Sequence, residues 1–249
     1  MSKRKAPEPP SGEDDPEEVT AIDGLLGGDL DAEGLLGGLA GDDVAEEQAD
    51  AEDDSLALEE LLGGGGGEDT GELPAGLTED ALKEGEDVDL SAYQLTVPQA
   101  QVVAQALATN EDLQNVKFAS HTIAVGDLKE EEELEWDSED YTDVEAIIIA
   151  ELLKSNTTVS RLDLARNSIG DAGAMALASM LCENSTIEYL NLESNTFGEK
   201  GGEAFLKALG DNTSVNYLNL MYNSIPTAVQ DATRTAWTSA PGRAAGLHL

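Results

Sequence analysis

Few residues in this chain could do chemistry. Its 249 residues include two histidines, His121 and His248, and one cysteine, Cys182. An imidazole moves protons near neutral pH and a thiolate attacks electrophiles, but each needs a partner at a set spacing. His121 stands alone in "FASHTI", His248 is the penultimate residue, and nothing beside Cys182 marks it as a nucleophile. No Gly-rich phosphate loop, nucleophile motif or Cys/His metal spacing occurs, and the acidic clusters lack the spacing of a calcium loop. The expectation is a protein that is not an enzyme, with no catalytic residue, metal or cofactor.

Charge narrows the partners. The formal net charge is −39. Residues 1–76 hold three basic residues against 23 acidic ones, a net of −20, with no aromatic residue. A segment this acidic and this poor in large apolar groups cannot bury enough surface to offset chain entropy, so it is expected to be a disordered low-complexity arm. Within it "DGLLGG", "EGLLGG" and "EELLGG" recur, and Ala51–Leu62 could form about three helical turns. These phrases read either as solvated drift or as docking motifs with leucine anchors. Phosphate backbones and anionic membranes would repel such a chain, which leaves a protein partner, basic or cytoskeletal, as the expected class. The single cysteine fits a reducing, cytoplasmic setting, the start lacks a signal-peptide pattern, and Lys3–Lys5 offers a short nuclear-import signal as the alternative.

What must position any binding residue is a repeat. "LDLARNSI" begins at Leu162, "LNLESNTF" at Leu190 and "LNLMYNSI" at Leu218, with weaker forms "VKFASHTI" at Val116 and "VDLSAYQL" at Val88. The intervals are 28, 46, 28 and 28 residues. Asn110, Asn156, Asn184 and Asn212 each precede a phrase by six residues. Alternation at each phrase predicts a short half-buried strand, and the apolar runs at 101–107, 144–153, 174–181 and 203–209 predict helices. One strand and one helix per unit cannot bury their own apolar faces, so units must stack. The expected architecture is an α/β solenoid of about five units, a curved parallel sheet inside and helices outside, over residues 77–240.

The pattern resembles leucine-rich repeats of the ribonuclease-inhibitor type. That resemblance assigns Asn167, Asn195 and Asn223 to a structural asparagine ladder, with Tyr93 and His121 in the same slot of the first two units. It implies a protein-interaction scaffold. The wording of "LKSNTTVSRLDL" and "MLCENSTIEYLNLESN" is also similar to the tropomodulin family, which implies actin filament pointed-end capping. A GTPase regulator of the leucine-rich type is a further alternative.

Binding is expected on the concave sheet face of a monomer, because alternation turns the unrepeated strand residues outward there. The rows read Arg161, Tyr189, Tyr217; then Lys117, Asp163, Asn191, Asn219; then Glu193 and Met221. The 18 extra residues between Ile123 and Asp143, with the acidic insertion at about 124–141, predict a loop bulging from the solenoid. Trp136 and Tyr141 on that loop are candidate anchors for a partner. Pro226 predicts a capping helix, and 241–249 a flexible tail with a solvated His248.

Overall fold

The computed structural model describes residues 71–240, 243 and 246–249. The acidic phrases of the first 70 residues lie outside the described residues. The elements are α1 (Glu79–Lys83), β1 (Asp87–Asp89), α2 (Val97–Leu107), β2 (Asn115–Lys117), β3 (Thr122–Ala124) and α3 (Asp127–Glu130). They continue as β4 (Glu133–Glu135), α4 (Asp143–Leu153), β5 (Arg161–Asp163), α5 (Asp171–Glu183), β6 (Tyr189–Asn191), α6 (Glu199–Asp211), β7 (Tyr217–Asn219), α7 (Thr227–Ser239) and β8 (Leu247–His248). The long helices pack in sequence order, α2 on α4, α4 on α5, α5 on α6 and α6 on α7.

Strands β1 to β7 are each three residues long with the middle residue inward, and β8 has two residues. Leu134, Leu162, Leu190 and Leu218 lie in register and buried, and the next alternate residues Trp136, Leu164, Leu192 and Leu220 are buried too. The helices supply the other half of this core. In α4 the run Ile147–Ile149 is buried on all sides, as a helix between two neighbours requires.

Polar side chains tie one unit to the next, 26–31 residues away. Asn167 Nδ2 donates to the carbonyls of Trp136, Leu164 and Ala165, and its Oδ1 accepts from the amides of Glu139 and Tyr141. Asn195 Nδ2 donates to Leu164 and Leu192, and its Oδ1 accepts from Ile169. Asn223 donates to Leu192, Leu220 and Met221, while its Oδ1 has no hydrogen-bond partner. Asn110, Asn156, Asn184 and Asn212 form a second ladder. The amides of Asn184 and Asn212 donate to Leu153 and Asn156, and to Leu181 and Asn184, carbonyls in and just beyond the last turn of the preceding unit's helix.

A third series caps helix starts. Gly170 and Gly198, at the N-caps of α5 and α6, have no side chain to offer. Asp143 Oδ1 instead accepts from Gly170 and Gly173, and Asp171 Oδ1 from Gly198 and Gly201. A Cβ at Gly173 would sit 2.8 Å from that of Ala146 and 2.9 Å from Asp143 Oδ1. The glycine is what lets the helices approach closely enough for the cap to form.

The acidic segment is not a bulging loop. Its β4 pairs in parallel with β5, Glu133 opposite Arg161 and Leu134 opposite Leu162, a strict 28-residue offset. Leu134–Tyr141 is therefore a full repeat phrase, and Trp136 and Tyr141 are core residues at 8% and 2% exposure. The extra residues fall earlier, before Glu133. There β3 turns back antiparallel to β2, and α3 leads into β4. The sheet is consequently two sheets, β1-β2-β3 and β4 to β8, rather than one. His121 does not occupy a ladder slot either: it closes the β2–β3 hairpin, where the Phe118 amide donates to its carbonyl.

The C-terminal residues also depart from expectation. Instead of a flexible tail, β8 pairs in parallel with β7, and Leu218 and Leu220 donate to Gly246 and His248. Arg243 is buried and donates to the carbonyls of Leu209, Asn212 and Val215, standing where the next asparagine of the second ladder would be. Its guanidinium also lies 5.1 Å from the ring centroid of Trp237, which is buried in α7 as the capping helix requires.

Candidate functional site

The face of β4 to β8 turned away from the helices gathers most of the sequence-selected residues. In-phase pairing stacks Arg161, Tyr189 and Tyr217 side by side. The Arg161 guanidinium lies 3.6 Å from the Tyr189 ring centroid. Tyr189 and Tyr217 stack at 4.1 Å with planes 8° apart, and the ring of His248, which pairs opposite Asn219, lies diagonally 5.0 Å from Tyr217. Arg161 forms no ion pair among the described residues. Partial burial, chiefly, pushes the Tyr189 phenol above its ordinary range.

The neighbouring rows are held by side-chain amides. Asn191 Nδ2 donates to both oxygens of Asp163, at 3.1 and 2.9 Å, and Asn219 Nδ2 donates to Glu193 Oε2 at 3.0 Å. The Oδ1 atoms of Asp163, Asn191 and Asn219 accept from the amides of Ala165, Glu193 and Met221, which fixes the chain as it leaves each strand. Ser138, Arg166, Ser194 and Tyr222, one per unit, all adopt φ between 56° and 63°. Of these Tyr222 is an exposed large side chain at 71%.

Lys117 is not part of this face. It lies on β2 of the other sheet and binds Asp87 Oδ2 at 2.5 Å, which lowers that carboxyl's pKa and raises its own. Trp136 and Tyr141 face the core, so they are withdrawn as partner anchors. The β4 row Glu133 and Glu135 was not among the expected residues of this face, and His248, expected to be solvated in a flexible tail, lies on β8 beside Tyr217. The β4 row was readable from the 28-residue spacing to Arg161 and Asp163.

At the seam between the two sheets a shallow cleft is lined by Tyr93, Phe118, His121, Thr142 and Glu145. His121 Nε2 lies 3.4 Å from Glu145 Oε1 without a hydrogen bond. Glu145 Oε2 instead accepts from the Thr142 amide, completing the capping box of α4. Tyr141 lies beside this cleft, and burial first, then Glu139 and Glu145, push its phenol well above the ordinary range. Because only the unfolded phenol ionises readily, stability should be full below about pH 10 and fall above it. We expect Tyr141→Phe to flatten the alkaline limb of a urea-denaturation series by up to about 1.4 kcal/mol per pH unit. Parallel limbs for both proteins would refute this.

Among the described residues no group of three or more His, Cys, Asp or Glu is placed to hold a metal ion, and no helix is long and apolar enough to cross a membrane. With parallel strands, outer helices and asparagine ladders at a 28-residue period, the described residues fold as a leucine-rich repeat solenoid. Residues 139–230 match the family model described as "TMOD/LMOD Leucine-rich domain". Among solved structures, "Leiomodin-1 Actin-Binding Site 2 (ABS2)" is similar at 19% identity, over 64% of this chain and 83% of that one, with a TM-score of 0.33. No curated protein sequence matches the chain.

Proposed function

We propose that this protein is a non-enzymatic interaction scaffold that binds a protein partner through the helix-free face of β4 to β8. The observation that carries this is the row Arg161–Tyr189–Tyr217 with His248 beside it. The solenoid core beneath it is complete without these side chains. Tyrosine and arginine concentrate binding energy at interfaces because they bring large contact area with few rotatable bonds. Held in one stack, they have little side-chain entropy left to lose on binding.

The match of residues 139–230 to the TMOD/LMOD leucine-rich model favours actin as the partner, in a tropomodulin-like role. Co-sedimentation of the full chain with actin filaments tests both parts. We expect the chain to pellet with filaments, and Tyr189→Ala/Tyr217→Ala to weaken that binding at least tenfold with a melting temperature within a few degrees. Absence of pelleting removes actin as the partner. Undiminished pelleting of the double variant removes the tyrosine row from the interface.

A further inference from the structure

The charges on the same face are unevenly distributed. Glu133 and Glu135 on β4 are exposed, and neither side chain has an ion pair or hydrogen bond among the described residues. Asp137 follows them, and Asp163 lies across from Glu135 on β5. Asp137 is paired with Arg166 at 3.9 Å and Asp163 is held by Asn191, which leaves Glu133 and Glu135 facing one further cation, Arg161, whose guanidinium is laid on Tyr189. The β6–β8 side, by contrast, carries aromatic rings, and its Glu193 is engaged by Asn219. The β4 edge of the face thus carries two unpaired carboxylates, and the other flank is aromatic.

Resting on the proposed scaffold function, we propose that the occupant of this face is a cationic segment of the partner. A lysine or arginine sits over Glu133 and Glu135, and an apolar side chain about four residues away packs against Tyr189 and Tyr217. The spacing follows from the sheet. From β4 to a point between β6 and β7 is two to three strand separations of about 4.8 Å, or roughly 12 Å. An extended chain covers that distance in about four residues. An anionic segment would meet the unpaired carboxylates of β4 at the same place, and like charges so juxtaposed are disfavoured. Arg161 and Arg166 do not reverse this, since the first is laid on Tyr189 and the second is paired with Asp137, and neither pairs with Glu133 or Glu135.

Fluorescence anisotropy on the full chain tests the assignment. The probe is a labelled decapeptide with two adjacent lysines and a phenylalanine four positions beyond. The control has glutamates for the lysines. We expect the lysine peptide to bind at least tenfold more tightly than the control. Because the whole chain is acidic and would attract any cation, the deciding comparison is Glu133→Gln/Glu135→Gln. That variant removes two of 52 carboxylates and should weaken binding at least fivefold, with the difference shrinking in high salt. Equal binding of the control peptide, no binding of the lysine peptide, or an unaffected glutamine variant overturns the proposal. If the glutamine variant is unaffected while Tyr189→Ala/Tyr217→Ala loses the peptide, only the cationic assignment falls. If neither variant alters the binding observed, the helix-free face is not the peptide's site, and the scaffold reading of that face falls with it.

Discussion

Asn195→Ala is expected to lower the stability of the protein by about 3 kcal/mol. Asn195 is 7% exposed, and truncation strands the buried amide of Ile169 and takes one of two side-chain donors from each of the carbonyls of Leu164 and Leu192, which keep Asn167 and Asn223. Each buried polar group left without a partner costs about 1–3 kcal/mol, and water can reach only some of them. Asn223→Ala makes the contrast. It removes three donated bonds, but Leu192 keeps Asn195 and Met221 keeps the Ser194 amide as donors, and no amide loses its acceptor because Asn223 Oδ1 is unpartnered. We expect a loss of about 1–2 kcal/mol there. Urea denaturation of the two variants beside the parent measures both. Equal losses would mean that position in the ladder does not matter, contrary to the stacking logic of a solenoid.

The second large effect is at Tyr141. If this residue sat on a solvated insertion, Tyr141→Ala would change stability by no more than about 0.5 kcal/mol. Buried between Trp136, whose ring is 6.3 Å away, and His121, at 5.0 Å, it should cost about 3–5 kcal/mol, the range for emptying an aromatic from a core. Glu135→Ala on the same segment, exposed in β4, should stay within about 0.5 kcal/mol. Both values come from one denaturation series. A mild Tyr141→Ala would return the segment to the surface.

The contrast shows where the sequence was readable. Leu162, Leu190 and Leu218 with Asn167, Asn195 and Asn223 recur at a strict period because burial and backbone satisfaction demand the same side chain in every unit. The same strictness let the stacked row Arg161, Tyr189, Tyr217 be read off by counting. The phrase at Leu134 escaped because its ladder slot holds Glu139 and its strand is flanked by acids, while Trp136 stands where leucine is usual. "VKFASHTI" then drew the count away. It has the right letters, but a hairpin forms from it and β3 runs antiparallel, a choice fixed by tertiary pairing rather than local pattern. The C-terminus was missed for a related reason. Leu247 pairs with Leu218 at a 29-residue offset, and Arg243 replaces an asparagine, so neither registers as a repeat. What the partner reads lies in the unrepeated letters, and periodicity alone is silent about those.

The most direct test is affinity capture from cell lysate on the immobilised full chain, quantified by mass spectrometry for three proteins side by side. They are the parent, Tyr189→Ala/Tyr217→Ala, and the charge-reversed Lys200→Glu/Glu203→Lys on the exposed surface of α6. We expect proteins enriched on the parent to be lost from the tyrosine variant and kept by the α6 variant. The opposite pattern, with capture surviving loss of both tyrosines and failing on the altered helix, would contradict binding through the helix-free sheet face.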